Sequence, residues 1–270
     1  MRRCMLSFFA VGALLLSVGC KDEGANFPSN PEEETGMGYL SLSDFRVNVA
    51  EHAEEITSGS GLGTEQARQT RVVGTTTDAP GEYKVKIRSA KSGEEMEYTY
   101  ADLQKPENQR IPLAPGAYVV SAESPDYRDY INGSTGVDWE KPVYYGSVTK
   151  TVHKRMETTV NDLVCTLANI KTTVTLTKDL QELFMTDTQA DAAGKERLTV
   201  ALSIGDSRLV FDRATADAGT AGYFKAVEAL NTVKIVLSGE YNKAASDEAP
   251  QYVPVNWTTE IVGCKAGQWR

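Results

Sequence analysis

Histidine is almost missing from this chain of 270 residues: His52 and His153 are the only two, and they stand far apart in sequence. Imidazole-based catalysis and histidine-rich metal centres therefore have little to work with. Cysteine is also scarce, with Cys4, Cys20, Cys165 and Cys264 at spacings that match no metal-binding pattern. Positive charge is short as well. Lys plus Arg number 28 against 37 Asp plus Glu, a net charge of -9 and a pI near 4.9, which repels a phosphate backbone and argues against nucleic acid as a partner. No G-x-S-x-G, H-E-x-x-H or phosphate-loop lysine signature occurs. The alternating Gly59, Gly61 and Gly63 of SGSGLGT lack the spacing of a dinucleotide loop and read as a plain loop. The chain is not read as an enzyme, and no catalytic residue, metal ligand or cofactor is expected. Apolar residues at 41% and charged residues at 24% are enough for a packed globular body. The length allows one large domain or two small ones at about 100 to 200 residues each.

The longest apolar run, Met5 to Val18, is broken by Ser7, Gly12 and Ser17 and is too short for a bilayer of about 30 Å, which needs roughly 20 residues. With Arg2 and Arg3 before it, the run reads as an export signal over residues 1–19. Leu-Ser-Val-Gly-Cys at its end resembles a bacterial lipobox, which implies cleavage before Cys20 and acylation of its thiol. The alternative is an ordinary secretory signal that contains a cysteine. Lys21, Asp22 and Glu23 resemble the signal that sends lipoproteins of the Bacteroides group to the outer face of the outer membrane. Residues 20–37 carry five carboxylates (Asp22, Glu23, Glu32, Glu33, Glu34), one lysine and two prolines, the composition of a disordered acidic tether. Losing Arg2 and Arg3 takes the net charge from -9 to -11.

From Gly38 onward the dominant period is two. Tyr83, Val85 and Ile87 alternate with Lys84, Lys86 and Arg88, which predicts a strand with one face in the core and the other in water. Leu40 and Leu42, then Phe45, Val47 and Val49, predict a first strand with a register change near Asp44. Met96, Tyr98 and Tyr100 predict another, as do Tyr118, Val120 and Ala122 after the Pro115-Gly116 turn. The segments 198–204, 208–212, 232–238 and 252–262 read the same way. One segment departs: Leu180, Leu183 and Phe184 have helical spacing after Thr177, predicting one short helix from Lys178 to Met185 with Thr177 as N-cap. Many short strands without strand-helix alternation predict an all-β chain of two antiparallel β-sandwich domains. Their expected extents are 38–158 and 159–270, with the boundary near Thr158.

The blocks GYLSLSDFRVNV (38–49), PGEYKVKI (80–87), PGAYVVSAESPDYRDYINGS (115–134), KPVYYGSVTKTV (141–152) and CTLANIKTTVTL (165–176) resemble a Bacteroides family of cell-surface lipoproteins of unknown function, related to fimbrillin-like cell adhesion proteins. The resemblance implies two transthyretin-like sandwiches, export as a lipoprotein and a role in fimbriae or surface adhesion. The resemblance also implies a further strand beyond the point corresponding to Arg270, so that either the chain is truncated there or this member lacks the final strand of the second sandwich. In fimbrillins, cleavage after an arginine in the N-terminal domain frees the first strand, and another subunit's strand fills the groove. Arg46, Arg68 and Arg71 are available here, and Arg71 is the expected site because Val72 and Val73 can begin the next strand.

Tyr127, Tyr130, Trp139, Tyr144 and Tyr145, interspersed with Asp126, Asp129, Asn132 and Asp138, form the candidate ligand surface. Aromatic faces beside carboxylates can stack on and hydrogen-bond a sugar, and oxygen-rich loops can hold calcium. The same aromatics can equally plug the ends of a sandwich, and the acidic spacing does not match a calcium loop. Cys165 and Cys264 can form a disulfide in an oxidising compartment or remain two buried thiols. The expected partners are outer-membrane lipid through Cys20, other fimbrial subunits by strand exchange, and a host or glycan ligand. A monomeric glycan-binding lipoprotein of a polysaccharide uptake system is the alternative to a fimbrial subunit.

Overall fold

The computed structural model describes residues 36–54, 72–133, 136–184, 198–244 and 249–267. The export signal, Cys20, Arg68 and Arg71 lie outside the described residues, as does nearly all of the acidic tether. The first nine strands are β1 (Gly38–Ser41), β2 (Arg46–Glu54), β3 (Val72–Asp78), β4 (Lys84–Ser89), β5 (Glu95–Thr99), β6 (Arg110–Leu113), β7 (Gly116–Glu123), β8 (Val137–Trp139) and β9 (Tyr144–Val152). Then come β10 (Glu157–Thr159), β11 (Asp162–Leu167), β12 (Ile170–Thr172), β13 (Thr199–Ile204), β14 (Ser207–Asp212), β15 (Gly222–Phe224), β16 (Asn231–Asn242) and β17 (Tyr252–Cys264). The α-helices among the described residues are short: α1 (Tyr100–Leu103), α2 (Tyr127–Asn132), α3 (Lys178–Leu183) and α4 (Arg213–Asp217). The chain is all-β.

Four sheets form two hydrophobic clusters. A seven-stranded sheet, in the order β3-β2-β11-β9-β7-β4-β5, and a three-stranded sheet, β10-β1-β6, enclose the first. Leu40, Val47, Val85, Ile87, Val120 and Leu163 are all but inaccessible there. Fully burying each such side chain is worth about 1.5–3 kcal/mol. A second three-stranded sheet, β12-β15-β8, and a four-stranded sheet, β14-β13-β16-β17, enclose the other cluster around Phe211, Phe224, Ile170 and Leu198. The first cluster runs on through Val160, Leu163, Cys165 and Leu167, and the second begins at Ile170. β8 lies between segments of the first cluster in sequence but pairs with β15.

The sheets are not purely antiparallel. β1 pairs with β10 in parallel, and β2 with β11 in parallel. The cause is local: β1 leads into β2 and β10 into β11 through short connections that cross from the small sheet to the large one. Two crossings in the same sense lie side by side. The register change expected near Asp44 is this crossing, a turn at Ser43 and Asp44 that splits one anticipated strand into β1 and β2. The helix expected after Thr177 is α3, where the Thr177 hydroxyl accepts from the Leu180 amide at 3.4 Å. It is not the only helix of the C-terminal half. In α4, Asp212 caps the Thr215 amide at 2.8 Å while the Thr215 hydroxyl accepts from the Asp212 amide at 2.9 Å.

Cys165 and Cys264 are both free and buried. The disulfide considered between them is not formed, because Cys165 packs in the first cluster and Cys264 in the second. Burial pushes the Cys165 thiol up to about 12, which keeps it protonated and unreactive.

Candidate functional site: the two faces of helix α2

Helix α2 follows β7 and folds back over the outer face of the large sheet. The alternation that points Val85 and Ile87 into the core points Lys86 and Arg88 outward from β4, and Ser121 and Glu123 outward from β7. Lys86 is nevertheless buried, with only 5% of its side chain accessible, as is Glu123. The two form an ion pair, and Arg128 of α2 donates from Nε to the same Glu123 oxygen at 3.0 Å. Arg128 also lies 3.6 Å from Glu95, and Lys86 lies 3.8 Å from Glu97. A chain of alternating charge thus joins β5, β4, β7 and α2.

Tyr127 and Tyr145 stack at one side of this chain, with ring centroids 4.7 Å apart and planes at 13°. Burial, followed by the neighbouring Tyr145 and Glu123, raises the Tyr127 phenol. Between α2 and the sheet lies a cleft of about 420 Å3, walled by Lys86, Arg88, Glu123, Tyr127, Arg128 and Tyr145 among others.

The opposite side of α2 is held by the C-terminal half. Tyr130 donates to the Ala168 carbonyl at 2.9 Å and accepts from the Ala226 amide at 3.3 Å. Lys225 donates to the carbonyls of Ile131 at 2.9 Å and Gly133 at 3.3 Å, where a helix C-terminus favours a cation. A smaller cavity of about 170 Å3 lies there, lined by Asp126, Asp129, Asp138, Lys141 and Lys225 with Tyr130. Lys141 binds Asp138 at 2.6 Å and holds its carboxyl below the usual carboxylate range.

The structure separates the five candidate aromatics. Tyr127 and Tyr145 share the larger cleft, while Tyr130 borders the smaller cavity and bridges the two halves. Trp139 packs edge-on against Phe211, centroids 4.8 Å apart, beside the second cluster. Tyr144 is buried in the first. The alternation pattern did not single out Lys86, Arg88, Glu123 or Arg128. Lys86 looked like an ordinary solvent-facing lysine, and only the helix laid over it makes it a buried charge. Among the described residues no cluster of three His, Cys, Asp or Glu side chains could hold a metal ion. No helix among them is long and apolar enough to cross a membrane.

A family model described as a domain of unknown function (DUF4493) matches residues 36–270. No curated protein is detectably similar to the chain. Among solved structures, a fimbrial assembly protein from Parabacteroides distasonis aligns at 12% identity and a TM-score of 0.32, over 81% of this chain and 85% of that one. A protein of Bacteroides thetaiotaomicron provisionally termed polysaccharide-binding (DUF1812) aligns at 8% identity and 0.30, over 72% and 76%. A provisional adhesin of the same species aligns at 11% and 0.27, over 85% and 72%.

Proposed function

Since the chain belongs to the DUF4493 family, a domain of unknown function whose description names no activity, we propose from its strand arrangement that it is a structural or adhesive subunit of the cell surface. It is delivered by a lipid on Cys20 and joined to other subunits by strand exchange. The observation that carries this reading is the position of β1. Only four residues long and the first of the described strands, it is the middle strand of its sheet, between β6 and β10. Its departure would unpair both neighbours at once and uncover the sites of Leu40 and, just beyond it, Leu42, 0% and 1% exposed. The result is an apolar groove with a hydrogen-bonding wall on each side, the receptor geometry for an added strand.

The C-terminal strand supplies a complementary feature. The Lys243 amide donates to the Gln251 carbonyl at 3.0 Å, and the register pairs Glu240 with Pro254. In an antiparallel ladder the bonded pairs alternate, so odd-numbered residues of β17 bond to β16 and Pro254, which has no N–H, faces outward. The N–H and C=O groups of Asn256, Thr258 and Glu260 face outward with it. β17 has no second strand neighbour among the described residues, and Trp257 beside this edge is 55% exposed.

A monomeric glycan-binding lipoprotein is the second reading, favoured by the tyrosine-walled, charged cleft beside α2. Protein taken from the surface of producing cells separates the two. Ladders that persist in unheated SDS, and filaments under the electron microscope, are expected of the subunit. A single monomeric species with sugar affinity would favour the second reading.

A further inference from the structure

We propose that the cleft between α2 and the outer face of β4, β7 and β9 binds a carboxylate-bearing saccharide, a site that operates independently of strand exchange. Its volume of about 420 Å3 falls within the range of about 300–1,000 Å3 usual for small-ligand sites. Its charge runs against that of the chain. The whole chain carries -9, yet the cleft is lined by three cations, Lys86, Arg88 and Arg128, and two carboxylates, Glu95 and Glu123.

Both carboxylates are already engaged. Glu123 accepts from Lys86 and Arg128, and Glu95 lies 3.6 Å from Arg128. Arg88 has no ion pair among the described residues, so the surplus positive charge resides on its guanidinium. That group is planar and presents parallel N–H donors, the fork that a carboxylate matches with two hydrogen bonds. The buried Lys86–Glu123 pair lines the same cleft.

The rest of the lining suits a sugar ring more than a bare anion. Ser121, Asn132, Tyr127 and Tyr145 line the cleft, and side chains of these types offer both donors and acceptors to hydroxyl groups. The stacked tyrosines add apolar wall for the C–H face of a pyranose. A neutral saccharide would use these contacts and leave Arg88 unmatched. A small anion would use Arg88 and leave the tyrosines unused.

Isothermal titration of the chain without its lipid tests this with four probes: trigalacturonate, 3'-sialyllactose, lactose and sodium acetate. At least one acidic saccharide should bind ten times or more tightly than lactose, with affinity falling as salt is raised. Acetate should show no saturable binding. Arg88→Ala should weaken the acidic probe about ten- to hundredfold, the worth of one charge-assisted hydrogen-bonded pair, and Arg88→Gln should weaken it similarly. Both variants should keep the parent Tm, since Arg88 is exposed. Equal affinity for lactose and both acidic probes, no binding of either acidic probe, or insensitivity to both Arg88 variants overturns the proposal. Acetate binding as tightly as the saccharides reduces the cleft to an adventitious anion site only. Ladder formation by the Arg88 variants should match that of the parent, so failure here and failure of the subunit reading are told apart.

Discussion

Lys86 of β4 and Glu123 of β7 are diagonal neighbours that form an ion pair on the face of the large sheet turned away from its core, each with 5% of its side chain accessible. Helix α2 makes this burial possible, and Arg128 on that helix completes the shell around the Glu123 carboxylate.

Removing one member of such a pair leaves the other charge buried without its main partner, which typically costs about 3–5 kcal/mol, whereas replacing both with apolar groups of similar size is often near neutral. Lys86→Met and Glu123→Leu are each expected to lower urea stability by that amount. The double variant should lose much less than the sum. Additive losses in the double-mutant cycle would mean that the two charges are not energetically coupled.

The two body cysteines are expected to react with a thiol reagent only after unfolding, yielding two free thiols in denaturant for a chain lacking Cys4 and Cys20. The raised Cys165 thiol also sets a pH dependence. The unfolded thiol ionises near 9 and the folded one near 12, so the folded state holds more protons between those values and stability falls as pH rises through that window. The raised Tyr83 phenol, desolvated beside Cys165, acts in the same direction. Urea midpoints measured from pH 8 to pH 11 should fall for the parent and fall less steeply for Cys165→Ala. Parallel curves would remove Cys165 from the explanation.

Gly38 opens β1 at a place where a side chain has no room. A Cβ there would sit 2.2 Å from the His153 carbonyl oxygen and 2.6 Å from Val152 Cγ1. Gly38→Ala is expected to loosen β1 at a cost of about 1–3 kcal/mol, in the range of overpacked cores. Amide exchange at Tyr39 and Leu40 should quicken more than exchange in β16. Uniform acceleration would indicate general destabilisation and not release of one strand.

Acylation at Cys20 is expected to make the protein partition into detergent and incorporate labelled palmitate, with two or more acyl chains required for stable anchoring. Cys20→Ser should abolish both. A serine variant that still labels would place the lipid elsewhere.

The alternating residues of β4, β7 and β16 made the sheets legible in sequence, because a half-buried strand advertises its inner face. Tyr118, Val120 and Ala122 are all buried as their spacing required. Leu40 to Val49 was harder. Its two apolar groups, Leu40 with Leu42 and Phe45 with Val47 and Val49, fall on either side of the crossing between sheets, and a crossing looks the same as a slipped register when only periodicity is read. The candidate site was legible in part. The aromatic segment 127–145 was visible as a cluster, but tertiary packing took Trp139 and Tyr144 for the two cores. Lys86 and Glu123 carried no local signal, since an alternating strand pattern assigns both to the solvent face and their burial depends on how α2, distant in sequence from Lys86, folds back over β4 and β7.

Limited proteolysis of the mature chain with a trypsin-like protease, read by unheated SDS electrophoresis and by mass spectrometry of each band, tests the subunit reading most directly. Cleavage after Arg71 leaves β1 and β2 on the released side. The account predicts SDS-resistant ladders whose subunits begin at Val72 and lack β1. Complete cleavage at that arginine with monomers as the only product, or ladders whose subunits all retain β1, would contradict it.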